Sequence, residues 1–215
     1  MVKVQMFLRE LPTFEASPIF CCLDEAVERD LRKFVNVFER ASVALRFLQN
    51  AGADADHLKV RKEEEEQMLA AYLRASLMEF VGMEDSLPTD LRELGIEMPP
   101  LRIWDTKNAM LILLRELRHI HIHVGRSKFL RQSKGAVFRG FGKELETDVV
   151  ARTIPKQDLD QLMVGRRAKH FNKQELRAAI DWLEESQNNW GINDVVHAAV
   201  NTYASLIIME YASGV

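Results

Sequence analysis

Apolar residues recur at alternating intervals of four and three over most of the chain, which is the period of an amphipathic helix. The clearest stripe contains Val27, Leu31, Phe34, Phe38, Ala41, Leu45 and Leu48. It predicts one helix that begins after Asp24, a suitable N-cap, and ends at 50–52. A second helix is predicted over 58–81. The following segment, 82–100, is predicted to be a loop, because Gly82 opens it and two prolines close it.

The central helix is predicted to begin near Asp105 and to end near Gly125. Its apolar stripe consists of Met110, Leu114, Leu117, His121 and Val124. The segment 135–154 contains three glycines and follows neither the helical nor the strand period, which leaves a short hairpin as one interpretation. Farther along, Asn172 and Glu175 have the spacing of a near capping box and predict another helix.

Two further helices complete the pattern. A short helix is predicted over 155–164. The last helix has a core stripe of Val196, Val200, Tyr203 and Ile207. The expected fold class is therefore all-α, a bundle of about five helices with a glycine-containing excursion after the central helix. The length of 215 residues suits a single domain, 1–215, with an N-terminal arm over 1–22 and an irregular insertion over 132–170.

The composition excludes several classes of protein. The formal net charge is −3, so the overall charge balance does not demand a nucleic-acid or membrane partner. The apolar runs are too short to span a bilayer. Cys21 and Cys22 are adjacent, which disfavours a disulfide between them and gives no metal-binding spacing. These features predict a cytoplasmic protein with no membrane partner.

Charge is unevenly distributed within this nearly neutral chain. The segment 115–143 contains eight basic residues and one acidic residue, which gives a formal charge of +7. A basic face of this kind attracts polyanions. The candidate polyanion-binding residues are Arg115, Arg126, Lys128, Arg131, Lys134 and Arg139.

The central helix contains three of the six histidines in a stretch of only five residues: His119, His121 and His123. His119 and His123 are four residues apart and share a helix face, whereas His121 lies on the apolar stripe. Arg118 lies at the border between these two faces. An imidazole can accept and donate protons near neutral pH, and a guanidinium can bind a phosphate through two hydrogen bonds.

The hexapeptide 118–123, RHIHIH, follows the pattern Arg, polar residue, any three residues, His. This pattern resembles the signature of the HEPN superfamily, small helical bundles that include many endoribonucleases of toxin–antitoxin and phage-defence systems. The resemblance implies an HEPN-like domain that cleaves RNA without a metal ion or other cofactor. It also implies that Arg118 binds the phosphate, that His123 transfers protons and that His119 orients or assists. The basic residues of 115–139 would then bind RNA.

In the resembling enzymes, two copies of the motif meet across a homodimer. The resemblance therefore implies a second copy of this chain as a partner, and it makes an antitoxin protein a further candidate partner. Helix geometry agrees with a dimer, because five residues rotate the chain by about 500° and separate Arg118 from His123 by about 140° in direction. One helix cannot easily direct both side chains at a single phosphate from its middle. Either the helix ends near Val124 and His123 moves freely, or a second copy of the helix supplies the missing half, which the resemblance favours.

Other interpretations of the same residues remain open. His121 suits a core position on the apolar stripe. His119 and His123 form an i, i+4 pair that can bind zinc, although the metalloprotease pattern requires Glu where this chain has Ile120. Arg118 and His123 could instead hold loops in place at an interface. In that case the protein would be a non-catalytic helical adaptor that binds a partner or nucleic acid.

Overall fold

The computed structural model describes residues 3–14, 21–52, 62–124, 129–140 and 143–211. Within these ranges the chain forms seven α-helices and one two-stranded antiparallel sheet. The helices are α1 (Glu25–Leu31), α2 (Val35–Gly52), α3 (Lys62–Glu93), α4 (Ala109–Val124), α5 (Lys156–Val164), α6 (Lys173–Trp190) and α7 (Ile192–Tyr211). The strands are β1 (Leu130–Gly140) and β2 (Lys143–Thr153), which form a hairpin between α4 and α5. The predicted all-α helical bundle is therefore confirmed, and the hairpin is its excursion.

The helix at the centre of the bundle is α4, which contacts α3, α5, α6 and α7. Each of its residues from 109 to 114 is at most 1% exposed, so other elements surround this half of the helix on every side. Leu117 is also fully buried, which confirms the predicted core stripe as far as this residue. The helix begins at Ala109 rather than near Asp105, because the side chain of Asn108 accepts a backbone hydrogen bond from the first turn (3.3 Å).

The first predicted helix is in fact two helices. The first ends at Leu31 and the second begins at Val35. The carboxylate of Asp90, on α3, accepts hydrogen bonds from the backbone N–H groups of Asn36 (3.0 Å) and Val37 (2.8 Å). Asp90 is 1% exposed, so a buried negative charge lies at the start of α2, where the helix dipole favours it. The prediction of one continuous helix was wrong because this cap comes from a distant part of the chain.

The second predicted helix extends farther than the sequence indicated. α3 runs through Gly82 and Pro88 without ending, so the prediction of a loop over 82–100 was wrong for the first part of that segment. Burial of the apolar side chains beyond Gly82 offsets the backbone hydrogen bond that Pro88 removes. These buried side chains are Met83, Leu87 and Leu91.

Residues 3–7 of the N-terminal arm lie along the bundle in an extended form. Val4 pairs with Phe171, and Phe7 pairs with Asn108, each through an isolated parallel bridge. Backbone hydrogen bonds of 2.8 Å join Val4 to the segment before α6 and Phe7 to the segment before α4. The arm therefore brings together two parts of the chain that are far apart in sequence.

The predicted capping box of α6 is only half formed. The side chain of Asn172 accepts a hydrogen bond from the backbone N–H of Gln174 (3.0 Å), as an N-cap should. The carboxylate of Glu175 does not accept a hydrogen bond from the backbone N–H of Asn172, as a capping box requires. It accepts one from the backbone N–H of Met6 in the arm instead (3.1 Å). The acid thus fixes the arm to the bundle instead of closing the box.

Regular structure replaces the irregular insertion that was expected over 132–170, since the two strands pair along their whole length and α5 follows them. The base of the hairpin is held by buried polar side chains. The amide of Gln187 accepts a hydrogen bond from the N–H of Ile154 (2.8 Å) and donates one to its carbonyl (2.9 Å). Arg152 donates a hydrogen bond to the carbonyl of Ala51 (2.6 Å). These contacts tie the hairpin to α6 and α2.

Candidate active site on the central helix

Exposure changes abruptly along α4. The first part of the helix is fully buried, whereas Arg115, Glu116, Arg118 and His119 are all half-buried. Only Leu117 within this stretch is completely enclosed. The hexapeptide that resembles the HEPN signature therefore begins where the central helix leaves the core.

Arg118 lies at this boundary with an unusual environment for a half-buried guanidinium. Its Nε atom is inaccessible to solvent and donates no hydrogen bond to any described residue. A buried charged donor without an acceptor is unfavourable, so this N–H suits an anionic acceptor. His119 is also half-buried and interacts with at least one other residue.

His123 lies in the last turn of α4, and its side chain is outside the described part of the structure. The approach of His123 to Arg118 is therefore still a prediction. The backbone fixes the helical positions, however. Glu116, His119 and His123 are spaced i, i+3 and i+7, so these positions share one face of α4.

Arg115, a predicted RNA-binding residue, belongs to an internal ion pair. Its Nε atom donates a hydrogen bond to Oε2 of Glu84 on α3 (2.9 Å), and the two side chains are only 16% and 6% exposed. Its Nη1 atom also lies 3.7 Å from Oε1 of Glu116. The guanidinium lies 5.2 Å from the ring centroid of Trp104, within the range of a cation–π interaction. Much of the charge of Arg115 is thus satisfied inside the protein, and its contact with RNA stays a prediction.

A second arginine approaches the same group of residues from the segment before α6. Nη1 of Arg167 donates a hydrogen bond to Oε1 of Glu116 (3.2 Å). Its guanidinium lies 5.5 Å from the centroid of Trp104, which also stacks on Phe171 at 5.3 Å. Residues 166–170 form a basic run in the sequence, but no local pattern indicates that Glu116 is the partner of Arg167.

The carboxyl of Glu116 is therefore placed between two guanidinium groups on a half-buried surface. Burial raises the pKa of Glu116 above its ordinary value, because desolvation disfavours the charged form. Arg167 and Arg115 oppose this effect, since each stabilises the carboxylate. Glu116 is thus a group whose ionisation depends on both arginines.

The remaining predicted RNA-binding residues lie beyond α4. Arg126 and Lys128 are outside the described residues. Arg131, Lys134 and Arg139 all lie on β1, where the structure describes the backbone but not the side chains. Because strand positions alternate between faces, Arg131 and Arg139 share one face of the hairpin and Lys134 lies on the other. These three positions therefore do not form one continuous basic face.

The register of the hairpin determines which positions of β2 are opposite these residues. In the strand register, Arg139 is directly opposite Glu144 on β2. Arg131, in contrast, is opposite Arg152.

Among the described residues, no group of three or more His, Cys, Asp or Glu side chains is arranged to hold a metal ion. No helix in the described ranges is both long enough and apolar enough to cross a membrane. Comparisons of the chain with models of protein families, with curated proteins and with solved structures give no match.

Proposed function

We propose that this protein is a metal-independent endoribonuclease of the HEPN type. One observation carries the proposal: Arg118 and His119 lie where α4 passes from complete burial to partial exposure. Side chains at such a boundary are held by the core on one side and can reach a ligand on the other. The buried Nε–H of Arg118, which has no described acceptor, supports a role in binding an anion.

The chemistry assigns a task to each residue of the motif. Attack of a ribose 2′-hydroxyl on the adjacent phosphate requires removal of the hydroxyl proton and delivery of a proton to the departing 5′-oxygen. We assign this proton transfer to His123 and the binding of the phosphate to Arg118. His119 would orient the reacting groups, because it lies on the same face of α4 as His123. The charge on the phosphate oxygens grows in the transition state, where a guanidinium stabilises it most.

A homodimer is part of the proposal. Arg118 and His123 differ by about 140° in direction along one helix, so a two-fold arrangement could bring Arg118 of one chain near His123 of the other. Partnership with an antitoxin, action in toxin–antitoxin or phage-defence systems and a cytoplasmic location rest on the family resemblance and remain proposals.

The proposal is tested by incubating total RNA with the wild-type protein in the presence of a chelator, beside Arg118→Ala and His123→Ala. Each substitution should reduce cleavage by about 10²-fold or more, because each removes a group that acts in the transition state. Arg46→Ala is a matched control, since Arg46 is exposed on α2 and forms no salt bridge with a described residue. Equal cleavage by all four proteins would contradict the proposal.

The dimer is tested by mixing the two inactive variants. If each site uses both chains, the mixture should recover part of the activity. A protein that is fully active while strictly monomeric would rule the shared site out. Loss of activity in chelator that zinc restores would instead favour a zinc site at His119 and His123.

The second candidate function is a non-catalytic helical adaptor. Arg115 favours this alternative, because its charge is satisfied by Glu84 and its guanidinium packs near Trp104. A charged residue next to the motif thus has a structural role. An adaptor would bind RNA or a protein without cleaving RNA. The same cleavage assay distinguishes the two functions, because RNA that stays intact when it is fully bound by the protein supports the adaptor.

A further inference from the structure

Three segments that are distant in sequence contact one another: 3–10, 102–107 and 165–173. The arm segment joins the other two, because the N–H of Val4 donates to the carbonyl of His170 and the N–H of Phe7 donates to the carbonyl of Lys107, both at 2.8 Å. The second and third segments join directly, since the ring of Trp104 lies within 5.5 Å of the guanidinium of Arg167. We call these three segments the basic surface.

The basic surface carries a concentrated positive charge. It contains eight basic and two acidic residues, a formal charge of +6 in a chain whose total is −3. The basic residues are Lys3, Arg9, Arg102, Lys107, Arg166, Arg167, Lys169 and Lys173. All of them except Arg167 are exposed, and none of these exposed residues forms a salt bridge with a described residue. Exposed cations that have no acidic partner among the described residues favour a polyanionic ligand.

The basic surface also adjoins the proposed active site. Arg167 reaches Oε1 of Glu116 at 3.2 Å. Glu116 precedes His119 by three residues and shares its helix face. A chain that follows the basic surface past Arg167 therefore arrives at the part of α4 that carries the motif.

We propose that the basic surface binds the sugar–phosphate backbone of the RNA that the α4 site cleaves. This inference rests on the proposed function for the identity of the ligand, and on the described contacts and charges for the location of the surface. None of the residues of the basic surface belongs to the set that the sequence indicated for RNA binding. The basic surface exists only in the folded chain, where the arm, the segment before α4 and the segment before α6 contact one another.

The aromatic residues of the surface indicate how RNA would be bound. Trp104 stacks on Phe171 and is approached by two guanidinium groups, so it is already engaged within the protein. The ring of Phe7 is approached by Arg9 at 5.7 Å and by Lys107 at 5.9 Å. These rings position cations and are not free platforms for stacking bases. Binding is therefore directed to phosphates and tolerates different sequences.

The test is the salt dependence of binding to a short, fluorescein-labelled single-stranded RNA, measured by anisotropy in chelator. The background is His123→Ala, so that cleavage does not alter the probe. Arg166→Gln/Lys169→Gln and, as a second pair, Lys3→Gln/Lys173→Gln remove two exposed cations each from the basic surface. The logarithm of the affinity falls as the logarithm of the salt concentration rises. Each pair should make this negative slope shallower by about 1.4, because each phosphate contact contributes about 0.7 to its magnitude for single strands.

The matched control is Lys33→Gln/Arg46→Gln, which changes the net charge by the same amount. Both control residues are exposed and neither forms a salt bridge with a described residue. The control should leave the slope unchanged, and thermal unfolding should be unaltered in all three pairs. Equal slopes and affinities for the control and the surface variants would overturn the inference.

Two further outcomes separate this inference from the proposed function. RNA binding that depends on the surface pairs, together with a wild-type protein that cleaves no RNA, would leave the basic surface intact and reject the nuclease. Wild-type cleavage with an affinity that does not depend on these pairs would reject the basic surface alone. Binding of a polyglutamate peptide in place of RNA would assign the surface to an acidic protein partner and overturn the inference.

Discussion

A substitution at Arg115 tests whether this residue stabilises the fold or binds RNA. The substitution Arg115→Met keeps most of the side-chain volume but removes the charge that pairs with Glu84. Glu84 is 7% exposed, and its Oε1 atom already has no hydrogen-bond partner among the described residues. The substitution would therefore leave a carboxylate that is almost completely buried without its cation.

The cost of that change can be worked out from the burial of the pair. Removal of one partner from a buried ion pair costs about 3–5 kcal/mol. The side chain of Arg115 is 16% exposed, so solvent screens part of the interaction and about 2–4 kcal/mol is expected. For a chain of this length, that loss lowers the melting temperature by roughly 4–16 °C. The double variant Glu84→Gln/Arg115→Met removes both charges and should recover most of the lost stability.

The assay is urea unfolding followed by far-ultraviolet circular dichroism, with RNA affinity measured in parallel on the folded proteins. The matched control is Arg40→Met, because Arg40 forms a comparable but exposed ion pair with Glu79 (2.7 Å, 49% and 21% exposed). Its loss should cost less than about 1 kcal/mol. An Arg115→Met protein that unfolds at the wild-type midpoint but binds RNA more weakly would refute the reasoning and support direct contact of Arg115 with RNA.

Two further substitutions test the ionisation of Glu116 in the site and the hydrogen bonds at the base of the hairpin. Burial raises the pKa of Glu116 above its ordinary 4.5, so its stabilising contribution is present at low pH and is lost as the pH rises through the raised value. The unfolding free energy of wild type minus that of Glu116→Gln should therefore fall as the pH rises above the ordinary value of 4.5, and a rise would contradict the assignment. Gln187→Leu should cost about 2–6 kcal/mol in urea unfolding, since it leaves the buried N–H and carbonyl of Ile154 without partners, and an unchanged midpoint would contradict that role.

Apolar stripes in the sequence predict helices and their buried residues correctly where burial follows a local pattern. In α7 all four predicted core positions are fully buried: Val196, Val200, Tyr203 and Ile207. The extension of α3 also had a local signal, because Met83, Leu87 and Leu91 repeat every four residues. Gly82 and Pro88 predict an end to the helix in this segment, but in the structure burial of the stripe outweighs both.

Other features depend on contacts that no local pattern contains. The break between α1 and α2 is fixed by Asp90, which comes from the far end of α3. The partners of Arg115 and Glu116 are 31 and 51 residues away in sequence, at Glu84 and Arg167. A single sequence reveals that charges exist, but only the packing of the helices decides which of them meet.

The two arginines of α4 show why that distinction matters for function. Arg115 and Arg118 are three residues apart, so they share a helix face and leave the core together. Arg115 has a carboxylate partner at 2.9 Å, although its buried Nη1 atom also has no described acceptor. Arg118 forms no salt bridge with a described residue, and its buried Nε–H has no described acceptor. Acids are plentiful in the chain, with 32 Asp and Glu residues against 29 Lys and Arg, so scarcity of partners does not explain the difference. A guanidinium that the protein itself neutralises cannot bind a phosphate strongly, because the internal carboxylate competes for the same donors. Arg118, the arginine with which the motif begins, therefore suits the proposed binding of a phosphate better than Arg115 does.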